Sequence, residues 1–97
     1  MAEYFIAMYV IEYTEIAKEH IRLLRDNEPA AFKKVTQLLL ELMEHPKTGT
    51  GHPEQLKGNW EGRWSRRVTK KHRLVYEIND TEVVVLVLAA YGHYDDK

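Results

Sequence analysis

The 97 residues, 44% hydrophobic and 30% charged, suit a single soluble domain spanning 1–97 with one modest core. With no cysteine and no histidine spaced for zinc, neither a disulfide framework nor a recognisable metal site is expected; no apolar run approaches the roughly 18 residues of a membrane span, and the N-terminus lacks a signal-peptide pattern, so the expected compartment is the cytoplasm. A formal charge of −1 conceals an asymmetry, because residues 57–73 hold seven bases (Lys57, Arg63, Arg66, Arg67, Lys70, Lys71 and Arg73) against one acid, Glu61.

Along the chain, residues 4–13 are rich in aromatic and β-branched side chains, and Tyr9-Val10-Ile11-Glu12-Tyr13 reads as a strand. Thr14 is placed to cap a helix, with Glu15 in the first turn, where a carboxylate complements the helix dipole. Ala17, Ile21 and Leu24 recur at helical spacing, and this helix is expected to end near Asp26-Asn27. Pro29 suits the first turn of a second helix. Its apolar stripe is Phe32, Val35, Leu39, Leu42 and Met43, and Pro46 ends it.

Residues 46–61 are glycine-, proline- and polar-rich and read as a loop. Three strands follow at 63–69, 73–78 and 82–90, joined by turns at Lys70-Lys71 and Asn79-Asp80-Thr81. Val83 to Leu88 is apolar at every position, as expected of a central strand covered on both faces. The order is strand, two-helix hairpin, then a three-stranded antiparallel meander. It defines an α+β domain with the helices packed on one twisted sheet.

The basic block is the residue pattern that most suggests function. It fits an anionic ligand such as a phosphate backbone, and equally a solvated hairpin whose cations protect a sheet edge. Just before it, Glu54 and Lys57 place a carboxylate and an ammonium three residues apart. Arg66, Arg67 and Arg73 add guanidinium groups able to grip phosphate with two parallel hydrogen bonds. Tyr91-Gly92-His93-Tyr94 follows directly on the last strand. Cleaving RNA without a metal needs a base for the 2′-hydroxyl, cations for the crowded phosphorane, and an acid for the leaving 5′-oxygen. Glu54, the arginines and His93 are of those types. Each has a plainer reading as a solvated loop carboxylate or an exposed imidazole. Trp60, Trp64, Tyr91 and Tyr94 could stack on bases or simply pack.

Four stretches together carry a resemblance. They are Gly51-His52-Pro53-Glu54-Gln55-Leu56-Lys57-Gly58-Asn59, Gly62-Arg63-Trp64-Ser65-Arg66-Arg67-Val68, His72-Arg73-Leu74-Val75-Tyr76 and the ending Gly92-His93-Tyr94. In this order and spacing they resemble the YoeB/Txe toxins of the RelE/ParE superfamily. The resemblance implies a RelE-like fold with a twisted antiparallel sheet. It also implies cleavage of mRNA in the ribosomal A site, leaving a 2′,3′-cyclic phosphate or 3′-phosphate and a 5′-hydroxyl. A cognate antitoxin with an acidic, partly disordered segment would silence the toxin, and such toxins can form homodimers.

By position, the resemblance makes Glu54 the general base, His93 the general acid and Arg73 the transition-state cation. Lys57 and Arg67 become phosphate contacts, with Arg66 counted beside them on its guanidinium group, Tyr94 aligns substrate, and Trp64 packs. Tyr91-Gly92 departs from the Arg-Tyr pair of the family's best-known member, which removes one cation. The family's usual start falls near Met8, so residues 2–7 are an extension or an upstream start. The alternative on the same fold is a ParE-like toxin that binds and inhibits DNA gyrase without RNA chemistry.

Overall fold

The computed structural model describes residues 8–92, so residues 1–7 of the expected extension, and His93 and Tyr94, lie outside the described residues. Helix α1 (Glu15–Asn27) starts where the capping residue predicts: the Thr14 side-chain oxygen accepts a hydrogen bond from the Ala17 N–H at 3.0 Å. Helix α2 (Pro29–Glu44) follows after the single residue Glu28, with Pro29 in its first turn.

Five strands form one sheet in the order β1-β5-β4-β3-β2. They are β1 (Val10–Tyr13), β2 (Glu54–Gln55), β3 (Trp64–Arg67), β4 (Arg73–Asn79) and β5 (Val84–Ala89). Both helices cover one face of this sheet. Ala17 and Leu24 of α1, and Val35, Leu38 and Leu42 of α2, meet Leu74 and Tyr76 of β4 and Val85 and Val87 of β5 in the core. Burying each of these valine and leucine side chains contributes about 1.5–3 kcal/mol. Trp64 packs partly buried against this core, as expected.

Three features differ from the sequence reading. Glu54–Gln55 lies inside the expected loop, yet it pairs antiparallel with β3 through Glu54↔Ser65 and Gln55↔Trp64. Two residues carry no readable period, so this strand exists through its partner. The first strand pairs parallel to β5, Val10↔Val84 through Tyr13↔Val87, so the sheet is mixed. Finally, β5 is interior in strand order but unequally covered: Val85 and Val87 are fully buried, whereas Val84, Leu86 and Leu88 are half-buried. The helices cover only one side. Among the described residues no helix is long and apolar enough to cross a membrane.

Candidate functional site

Strand register decides which charged side chains share a face. Directly paired residues project to the same side of a sheet, and neighbours along a strand to opposite sides. Leu74 and Tyr76 point to the helices, so Arg66, paired with Leu74, and Trp64, paired with Tyr76, do the same. Arg67↔Arg73 and Ser65↔Val75 then face away from the helices, and Glu54, opposite Ser65, joins them. Glu54 is thereby offset from Arg67 by one strand and two residues, about 8 Å between Cα atoms, and from Arg73 by two strands, about 12 Å. The floor between them is dry, with Ser65 and Val75 only 1% and 4% exposed.

Two guanidinium-bearing residues directly across from each other, with Cβ atoms about 5 Å apart, repel unless an anion lies between them. The Arg73 guanidinium is steadied by its Nη1, which donates to the carbonyls of Thr69 at 2.9 Å and His72 at 3.2 Å. That leaves the Nε/Nη2 edge turned to no acceptor among the described residues. This edge is one of the two on which a guanidinium holds phosphate bidentately. Arg67 is exposed, and so is Lys57, which opens a short 3-10 turn (Gly58–Trp60) and lines a groove with Gln55, Glu61 and Gly62. The dipole of that single turn adds little; the ammonium group is what matters there. Among the described residues no cluster of histidines and carboxylates is arranged to hold a metal ion.

Arg66 requires a correction. As a phosphate contact it would need a free guanidinium, yet it is fully buried and every one of its five N–H groups has an acceptor. Nε donates to the Tyr76 hydroxyl at 3.0 Å. Nη1 donates to Glu41 Oε1 at 3.0 Å and to the Thr50 carbonyl at 3.3 Å. Nη2 donates to the His45 and Thr48 carbonyls, and Tyr76 in turn donates to the Pro46 carbonyl. Arg66 is thus the hub on which the loop between α2 and β2 is wound. Burial alone would push the Glu41 carboxyl up; hydrogen bonds from Thr50 and the Arg66 charge outweigh it and hold the group below its usual value. The loop continues through Gly51, whose carbonyl accepts the Arg67 N–H at 2.6 Å, and so reaches Glu54.

The last described residues are anchored just as firmly, by groups the sequence reading did not single out. The Arg73 N–H donates to the Gly92 carbonyl at 2.9 Å. The Gly92 N–H donates to His72 Nδ1 at 2.8 Å, and the Ala90 N–H to His20 Nδ1 at 3.1 Å. His72 Nε2 lies 3.0 Å from both carboxylate oxygens of Glu28. The chain therefore leaves Gly92 beside Arg73, toward His93. Glu28 is 44 residues from His72, and no local pattern joins them.

A helix hairpin on a mixed five-stranded sheet, with opposed arginines on the face away from the helices, places the molecule among the small α+β toxins of the RelE type. The family model described as "YoeB-like toxin of bacterial type II toxin-antitoxin system" matches residues 13–94, and the chain belongs to that family. It is 34% identical to the toxin YoeB of Synechocystis over 84 residues, which cover 87% of this chain and 95% of that one. A solved YoeB/ParE toxin from Agrobacterium tumefaciens superposes at a TM-score of 0.83 with 28% identity, covering 88% of this chain and 99% of that one. YoeB from Staphylococcus aureus is 31% identical over 91% of this chain and 100% of that one. It superposes at TM-scores of 0.79 as a dimer and 0.77 in a YoeB–YefM complex.

Proposed function

We propose that this toxin is a ribosome-dependent mRNA endonuclease that works by general acid–base catalysis. The supporting observation is the register that gathers Glu54, Arg67 and Arg73 on one sheet face, with the chain toward His93 hydrogen-bonded to the Arg73 backbone. In this reading Glu54 takes the proton of a 2′-hydroxyl, and the 2′-oxygen attacks the adjacent phosphorus. Arg73, aided by Arg67 and Lys57, neutralises the phosphorane oxygens. His93 gives its proton to the departing 5′-oxygen, leaving a 2′,3′-cyclic phosphate and a 5′-hydroxyl. Tyr94 aligns the substrate.

An exposed cationic face also suits the proposed partner, an antitoxin whose acidic segment folds over it. The complex of the S. aureus relative with YefM is consistent with such pairing. Glu54→Gln and His93→Gln should each slow single-turnover cleavage on programmed ribosomes by roughly 10²-fold or more. Near-normal rates in both variants, or inhibition of gyrase without any RNA cleavage, would overturn the reading.

A further inference from the structure

We propose that His72, oriented by Glu28, is a positioning residue that fixes the end of the chain from which His93 acts; the proposal rests on the reading of His93 as general acid. A backbone N–H can only donate, so the 2.8 Å contact from Gly92 requires an unprotonated Nδ1 on His72. The proton of the neutral ring is then on Nε2, where both oxygens of Glu28 accept it at 3.0 Å. Glu28 sits at the junction between α1 and α2, and Lys71 Nζ lies 3.8 Å from its Oε1. His72 itself is 1% exposed, so neither ring nitrogen exchanges its partner for water.

The consequence falls on one residue. Gly92 is held at its N–H by His72 and at its carbonyl by the Arg73 N–H, so its peptide groups cannot turn without breaking a hydrogen bond. Tyr91 lies between the two histidines, with ring centroids 4.4 Å from His72 and 5.9 Å from His20. Gly92 has a φ of +78°, a left-handed conformation in which the chain turns sharply, and nothing lies near its missing Cβ. A flexible glycine directly before a proton donor would ordinarily blur the donor's position. The Glu28–His72 pair removes that freedom, and a displacement of about 1 Å at a reacting group can cost about 10²-fold in rate. A side chain that only filled core space would need neither an acceptor at Nδ1 nor a carboxylate at Nε2.

Single-turnover cleavage and ribosome affinity should be measured side by side for His72→Gln, His72→Asn and Glu28→Ala, with and without His93→Gln. Glutamine imitates Nε2 and loses the acceptor for Gly92; asparagine can set an oxygen near the Nδ1 position. The expectation is a fall in bound-state rate of roughly 30- to 100-fold for His72→Gln with affinity changed less than about twofold. His72→Asn should recover most of the rate, and Glu28→Ala should fall between. In the His93→Gln background His72→Gln should add almost nothing, because the interaction it supports is already gone.

A full rate for His72→Gln, or an equal loss with and without His93, would overturn the proposal while leaving the nuclease reading intact. Should His72→Gln fail to fold, Glu28→Ala carries the same cycle. Nitrogen NMR of the wild-type imidazoles gives an independent check: His72 should show a proton on Nε2 only, and a proton on Nδ1 would refute the clamp. A near-normal rate for His93→Gln alone would instead remove the acid on which the proposal rests.

Discussion

Arg66→Ala tests whether the buried arginine is a scaffold or a ligand contact. The substitution removes the Arg66 donor from the Tyr76 hydroxyl, from the carbonyls of His45, Thr48 and Thr50, and from Glu41, whose carboxylate keeps the Thr50 N–H at 2.8 Å. Deleting one partner of a buried ion pair costs about 3–5 kcal/mol. The Glu41 side chain is 31% exposed, and residues 48 and 50 lie in an exposed loop, so water can reach part of this set. The lower end, about 3 kcal/mol, is therefore expected. Against a total of about 5–15 kcal/mol, that loss should lower the melting temperature by roughly 12–24 °C. Arg66→Lys should fall between, since three ammonium donors cannot serve five acceptors. Exposed Arg67 supplies the contrast: Arg67→Ala should change stability by only about 0.5 kcal/mol and reduce the salt slope of ribosome binding by about one. Thermal unfolding and binding at two salt concentrations separate the cases. Arg66→Ala with an unchanged melting temperature and a flattened salt slope would refute the scaffold argument.

Arg73→Lys keeps the charge but loses the guanidinium fork, so bound-state cleavage should fall roughly tenfold or more with ribosome affinity little changed. Lys70→Ala and Lys71→Ala should do the reverse, and full activity in Arg73→Lys would take Arg73 out of the reaction. Gly51 has a φ of +85° and a Cβ there would sit 2.9 Å from the Arg67 carbonyl, whereas Gly62, at +92°, faces open space. Gly51→Ala should therefore cost more stability than Gly62→Ala, by about 1–2 kcal/mol in urea unfolding, and should also slow cleavage by shifting Glu54; equal costs would contradict the close approach. Burial lowers the His20 pKa from its ordinary value of 6.5, against the opposing pull of Glu19. The unfolded chain then binds the extra proton, so this stability is present above about pH 6.5 and is lost as pH falls toward the lowered value. His20→Asn, which keeps an uncharged acceptor for Ala90, should flatten unfolding free energy between pH 7 and 5; an unchanged slope would contradict this. Hydrogen exchange of the toxin with its antitoxin should protect residues 57–73, and protection confined to α1 would count against the proposed partner surface.

Local chemistry was enough for the helices. Thr14, Pro29 and Pro46 act within a few residues of themselves, and the stripes from Ala17 to Leu24 and from Phe32 to Leu42 need only a 3.6-residue period to be seen. The motif residues Glu54, Lys57, Arg67 and Arg73 could likewise be singled out in one dimension. Arg66 and Arg67 could not be told apart by charge. They are adjacent on a strand of period two, so one must face the helices and the other must not; pairing with Leu74 and Arg73 settles which. A clue was available, because Trp64, assigned to packing, lies two residues before Arg66 and shares its face.

The strand Glu54–Gln55, the parallel pairing of β1 with β5, and the Glu28–His72–Gly92 connection had no comparable clue. Each is made between groups far apart along the chain, whose hydrogen-bonding capacity is unspecific until the core brings them within about 3 Å. Propensity and period act over one turn or one strand. The collapse of α1 and α2 onto β4 and β5 selects the partners, and with them which cations remain buried and which face solvent.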